Sequence, residues 1–340
     1  MTNIRVHLTS FPGGYSAFPA SFQRRATTAG LTDASGALQL TPADIRRAAM
    51  TYGASPLQVI SATSRGQIQL LPLTFPQLTW RSHLVAANLS VTRSAIYRSP
   101  AYDRLDPSEK SAVSYFLGMT QATVIAEKTL GIAYTAHLDL VMTALNIQLR
   151  RKSRPDLLGV DAAGTMAVSI EAKGRSGGFS SKVVSDAKGQ AQKLPVVQGV
   201  PLALSLASLA YFDNNDAWVS HVADPPSTGA SFAVPRSLVI AAHYARIIDL
   251  AYDPNARREE AQNGRVKFST EDDIVEVEIP APILAAFEES GYRPGNFDVL
   301  DTLSSDLAPL VERLAPKFES YSSNSTSVGL DGVLFRFRDL

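Results

Sequence analysis

Arg154-Pro155-Asp156-Leu157-Leu158-Gly159-Val160-Asp161 and, a turn later, Ser169-Ile170-Glu171-Ala172-Lys173-Gly174 decide the fold. Residues 157–160 are a short apolar run, Asp161-Ala162-Ala163-Gly164 reads as a turn, and residues 166–172 read as the returning strand. Side chains alternate across a strand, so Met166, Val168 and Ile170 share one face while Glu171 and Lys173 share the other. A short hairpin then brings Asp156 near both. Two carboxylates can hold a divalent cation, and a lysine beside them can orient a water or offset negative charge growing on a phosphate. Plainer roles exist for the same residues: a turn former after proline for Asp156, and a weak pair at an exposed strand end for Glu171 and Lys173.

The neighbouring segments suit a layered α/β unit. Asp106-Pro107-Ser108-Glu109 combines an N-cap acid, a first-turn proline and a glutamate three residues after the cap, so a helix is expected to about Leu130 with Gly131 as its stop. At about 100° per residue, Val113, Phe116, Thr120, Val124 and Glu127 fall on one face. That face should be buried, and a carboxylate there is costly unless it meets a cation or a donor. Residues 133–149 are apolar with His137 and Asp139 embedded, and their period separates neither helix from strand. After Lys173 come a loop rich in glycine and serine and a helix over about 181–193, stopped by Pro195.

In this order the motifs resemble the PD-(D/E)XK nuclease superfamily. The resemblance covers roughly residues 110–212 and implies an α/β fold with a restriction-endonuclease-like core: a mixed central sheet flanked by helices, with additional N- and C-terminal α+β segments. It implies a site for Mg²⁺ (or Mn²⁺) made by Asp156, Glu171 and the Ala172 carbonyl, with Lys173 as the catalytic lysine. Glu127 takes the place of the glutamate that many members carry on the preceding helix, and Gln190 or Gln192 that of the glutamine on the following one. A tyrosine sometimes follows that glutamine by four residues; here Leu194 and Val196 stand at those places. Lys152, Arg154, Arg175, Lys182 and Lys188 become candidate phosphate contacts. The implied activity is metal-dependent hydrolysis of phosphodiester bonds in nucleic acid, DNA more than RNA, with a homodimer or a protein partner as options and restriction or anti-phage defence as the setting by analogy. The alternative is a non-catalytic nuclease-fold binding or scaffold protein in a nucleic-acid-processing complex.

Composition narrows the remainder. Of 340 residues, 45% are hydrophobic and 19% charged, as in an ordinary globular protein. Lys+Arg and Asp+Glu are equal at 32, so net charge says nothing about nucleic acid and the distribution must carry that argument. Residues 150–193 hold nine Lys/Arg against four Asp/Glu, and this basic block coincides with the candidate site. Residues 249–319 hold sixteen acids against seven bases, which suits a segment that completes the fold or binds a partner. The absence of cysteine excludes a disulfide framework, a thiolate nucleophile and a cysteine-based zinc site. His7, His83, His221 and His243 show no metal-ligand spacing, and neither a phosphate-loop motif nor a Gly-x-Ser-x-Gly elbow occurs. No membrane span or signal peptide is expected, and a cytoplasmic location is.

Three segments follow: 1–105 as an accessory or recognition segment, 106–212 as the core, and 213–340 as the acidic remainder. Thr41-Pro42-Ala43-Asp44 should open a helix in the first. Strands are expected at 67–71, 202–211, 237–242, 272–279 and 334–337, a helix at 281–290, and a polar loop at 320–327.

Overall fold

The computed structural model describes residues 2–10, 23, 31–32, 35–52, 75–147, 154–192, 196–200, 202–224, 233–261, 263–270 and 272–338. Lys152 and the strand expected at 67–71 lie outside these. The fold is mixed α/β, organised around a large mixed central sheet.

Eight strands make that sheet: β1 (Thr2–Ser10), β2 (Leu31–Thr32), β3 (Ser35–Leu40), β4 (Ile132–His137), β5 (Leu157–Asp161), β6 (Met166–Gly174), β7 (Leu202–Phe212) and β8 (Trp218–Asp224), in the spatial order β2-β3-β1-β8-β7-β6-β5-β4. The hairpin β5–β6 is antiparallel with Leu157 opposite Ile170, and its tip is fixed by Asp161, which accepts the backbone amides of Thr165 and Met166 at 2.7 and 2.9 Å. β6 pairs in parallel with β7 through a crossover that carries a helix. β1 pairs in parallel with β8, Arg5 opposite Val219, so the sheet takes strands from all three segments of the sequence.

Helices cover both faces. In chain order the longer ones among the described residues are α1 (Pro42–Thr51), α2 (Phe75–Asn88), α3 (Pro107–Leu130), α4 (Leu138–Ala144), α5 (Ser181–Ala191), α6 (Arg236–Ile248), α7 (Ala281–Glu289) and α8 (Val299–Leu314). α3 starts and stops where its sequence signals: Asp106 accepts the amides of Ser108 and Glu109, Glu109 reaches back to the Asp106 amide, and Gly131 takes the left-handed conformation at φ 68°. α1 has the same reciprocal cap between Thr41 and Asp44. Leu117, Met119 and Val124 of α3 pack on Met166, Val168 and Ile170, the even-numbered face of β6. Val184 and Ala187 of α5 pack on Ala207 and Leu209, which register opposite Glu171 and Lys173 on the odd-numbered face.

The acidic part forms a second antiparallel sheet of six strands: β9 (Arg257–Ala261), β10 (Arg265–Ser269), β11 (Val275–Pro280), β12 (Tyr321–Ser322), β13 (Thr326–Val328) and β14 (Leu334–Phe337), ordered β9-β10-β11-β14-β13-β12. Two expectations are corrected here. Residues 237–242 belong to helix α6, whose residues 238–248 are all buried, and a short apolar run read alone does not separate a buried helix from a strand. Residues 320–327 are no plain loop, since they hold β12 and part of β13, which add a short edge hairpin. The ambiguous stretch at 133–149 divides into β4 and α4 at His137, whose ring nitrogen accepts the Asp139 amide.

Candidate active site

The site forms where β5 begins and β6 ends. Asp156 stands just before β5, and three hydrogen bonds to backbone groups hold it there. Its amide donates to the Ile170 carbonyl at 2.9 Å, its carbonyl accepts from Leu138 at the start of α4 at 2.9 Å, and its Oδ2 accepts the Ala172 amide at 2.9 Å. Amide and carbonyl of a strand residue point to the same edge, so the Ala172 carbonyl also faces the Asp156 side, past the end of β5. Glu171, 1% exposed, points to the opposite face from α3. Its Oε1 accepts from Lys173 Nζ, while its Oε2 is buried without a hydrogen-bond partner. Lys173 Nζ also donates to Gln190 Oε1 on α5 at 3.1 Å.

The electrostatics follow from that crowding. Burial and the adjacent Asp156 push the Glu171 carboxyl up to about 8, with Lys173 pulling the other way. Burial also raises Asp156, opposed by the Ala172 amide and Lys173 and reinforced by Asp139. Without a cation, the pair holds protons more tightly than isolated acids do. Hard oxygen donors, a carboxylate oxygen with no donor of its own and raised proton affinity together fit a divalent cation such as Mg²⁺. Among the described residues no three His, Asp or Glu side chains meet as a complete metal cage, so the protein's share would be Asp156, Glu171 and the Ala172 carbonyl.

Asp139 accepts Arg154 Nε at 2.5 Å, and His137 Nδ1 accepts the Asp139 amide at 3.4 Å. Burial holds His137 down to about 4 despite Asp139, so the ring is neutral at pH 7. Arg154 is therefore engaged by Asp139 rather than open to a phosphate. Asp139 is a nearby acid that motif spacing does not reveal, because only the β4–α4 corner, clipped onto Asp156, brings it there. Arg175 lines a pocket of 240 Å³ with Ser111, Ser114 and Gly177, and its Nε is buried without a partner. Lys182 is exposed and Lys188 half-buried along α5.

Glu127 is placed elsewhere. It is buried as its helical face requires, but α3 lies across the sheet from Glu171 and Lys173. From Gly118, which abuts Gly174, Glu127 lies nine residues on, roughly 13 Å along the helix. Its carboxylate pairs with buried Arg47 of α1 and accepts the Leu330 amide at 3.2 Å. The metal-ligand expectation for Glu127 is corrected accordingly. Gln190 rather than Gln192 meets Lys173, since Gln192 is the C-cap of α5.

The end of β6 tolerates no side chain at Gly174, where a Cβ would come 1.6 Å from the Ser114 carbonyl oxygen. Glycine there lets α3 lie directly on the strand carrying Glu171 and Lys173. No helix among the described residues is long and apolar enough to cross a membrane. No protein-family model matches the chain, and no curated protein or solved structure is significantly similar to it.

Proposed function

We propose that the protein is a Mg²⁺- or Mn²⁺-dependent nuclease that hydrolyses phosphodiester bonds of DNA, built on a restriction-endonuclease-like core. The observation that carries this reading is the convergence of Asp156, Glu171 and Lys173 at one sheet end, with Glu171 Oε2 buried and unpartnered. An ion pair with Lys173 alone leaves that oxygen without a donor beside a second carboxylate, an arrangement that a divalent cation completes. The order of elements supports the core assignment: helix α3, the antiparallel β4–β5–β6 unit, crossover helix α5 and parallel strand β7.

A divalent cation bound here supplies an acidified water and a polarised phosphate. The chain's own residues do the rest. Asp156 and Glu171 present oxygens from adjacent strands, and the Ala172 amide fixes the Asp156 rotamer. Lys173, steadied by Gln190, offers its ammonium to the charge developing on the phosphate.

Cleavage of supercoiled and linear DNA with Mg²⁺ or Mn²⁺ tests the proposal, with wild type beside Glu171→Ala and Lys173→Ala. Metal-dependent cutting that both variants lose is the expected result. Cutting that survives in both variants, or no cutting by folded wild type, moves the weight to the non-catalytic binding reading.

A further inference from the structure

Two of the most open large aromatic side chains stand beside this site. Trp80 on α2 is 48% exposed and Tyr115 on α3 is 44% exposed. Both meet Phe116 edge to face, with ring centroids 4.9 Å away for Trp80 and 5.4 Å for Tyr115. The three rings thus form one continuous row on the surface. Burial raises the pKa of the Tyr115 hydroxyl most, and Asp156 is the next cause, so Tyr115 lies toward the Asp156 end of the site. It also follows Ser114, whose carbonyl abuts Gly174 at the end of β6. Beyond Trp80 the surface continues into a groove of 960 Å³ with His83, Arg257 and Asp272 on its walls. On the other side of Tyr115 lies the Arg175 pocket, with its unpartnered Nε.

Exposed aromatic rings in a row, with Arg257 beyond one end and Arg175 beyond the other and with Asp156 nearby, match the chemistry of an unpaired nucleic-acid strand. Bases offer π-faces only when they are unstacked and unpaired; a duplex presents phosphates and base edges. A duplex docked here would leave Trp80 and Tyr115 without apolar partners. We propose that Trp80, Phe116 and Tyr115 form a stacking platform for single-stranded DNA, with a backbone phosphate against Arg175, and that this strand is what reaches Asp156 and Glu171. The inference rests on the nuclease reading for the fate of the strand, though not for its capture.

Binding of a dye-labelled single strand of about 15 nucleotides, and of its blunt duplex, tests this by fluorescence anisotropy without divalent metal. The single strand should bind roughly tenfold tighter than the duplex, and Trp80→Ala and Tyr115→Ala should each weaken it by roughly tenfold. Trp80→Phe and Tyr115→Phe should retain most of the affinity, because the ring and not the polar atom makes the stack. Arg175→Gln should weaken binding and flatten its salt dependence. Both aromatic side chains are exposed, so thermal unfolding of the alanine variants should match wild type and exclude a folding defect. Equal or tighter binding of the duplex, unchanged affinity in the alanine variants, or no binding of either probe overturns the proposal. The two readings fail separately. A protein that grips single strands through Trp80 and Tyr115 but cuts nothing with Mg²⁺ or Mn²⁺ keeps the platform and loses the nuclease. One that cuts duplex without any single-strand preference does the reverse.

Discussion

Glu127 and Glu171 are both buried, and their surroundings treat the charge in opposite ways. Around Glu127 every need is met: Arg47 pairs with it, the Leu330 amide donates to it, and Asp331 and Asp44 share in neutralising the guanidinium. Burial works against the charge of Arg47, yet Glu127, Asp331 and Asp44 outweigh it and hold its pKa above the ordinary value. Asp331 is itself held low by His243 and Arg47 against the effect of burial. Around Glu171 the compensation is incomplete: one ammonium at Oε1, no donor at Oε2, and the Asp156 carboxylate alongside, which raises its proton affinity. A satisfied network holds a fold together, while an unsatisfied one is a place for a ligand. The same residue type on neighbouring elements therefore serves stability in one place and, by our proposal, chemistry in the other.

The sharpest break in this comparison is substitution of each acid in turn. Glu171→Ala should reduce metal-dependent cleavage by at least about a thousandfold while leaving a cooperative thermal transition. Glu127→Ala should leave buried Arg47 without its closest carboxylate, with Asp331 remaining at 3.8 Å, and cost up to about 3–5 kcal/mol, read by urea unfolding, with specific activity preserved in whatever remains folded. Activity lost without destabilisation in Glu127→Ala would show that the two sites had been separated wrongly.

Gly174→Ala comes next. Its Cβ cannot coexist with the Ser114 carbonyl at 1.6 Å, so α3 and the end of β6 must part. We expect a loss of roughly 1–3 kcal/mol in stability and a larger relative loss of cleavage, because the displaced backbone carries Lys173. Unfolding and cleavage measured on the same preparation separate the two effects.

The last effect concerns pH. Glu171 binds its proton more tightly folded, at about 8, than its ordinary 4.5. Its contribution to stability is thus fully present below about 4.5 and is lost as pH rises through about 8. The melting temperature of metal-free protein should fall between about pH 4.5 and 8, and Glu171→Gln should reduce that fall. Added Mg²⁺ or Mn²⁺ should stabilise more at the alkaline end, where it no longer displaces a proton. A metal effect independent of pH would remove Glu171 from the binding site.

Much of this was legible where the information is local. The Asp106-Pro107-Ser108-Glu109 cap, Gly131 and the strand alternation that puts Glu171 and Lys173 on one face depend on residues a few positions apart. The burial of Glu127 was legible for the same reason, but its partner was not, because Arg47 lies on another helix that only tertiary packing brings to it. Asp139 and Arg154 escaped notice as a pair because the β4–α4 corner has no period of its own. Helix α6 was read as a strand for a reason of a different kind: the window 237–242 holds only its apolar run, and the polar positions that mark the helical period, Arg236, His243 and Arg246, lie outside it.

The parallel pairing of β1 with β8 has a consequence for how the chain is made. Ile4 and Val6 are fully buried in the finished sheet, yet the neighbour on one side of their strand is built from residues 219–224. During synthesis β1 can pair with β3 early, but its other edge stays open until most of the central sheet has left the ribosome. That edge is a template for another chain as well as for β8. Slow closure of this last long-range contact, rather than assembly of the local β5–β6 hairpin, should limit the rate at which the sheet completes.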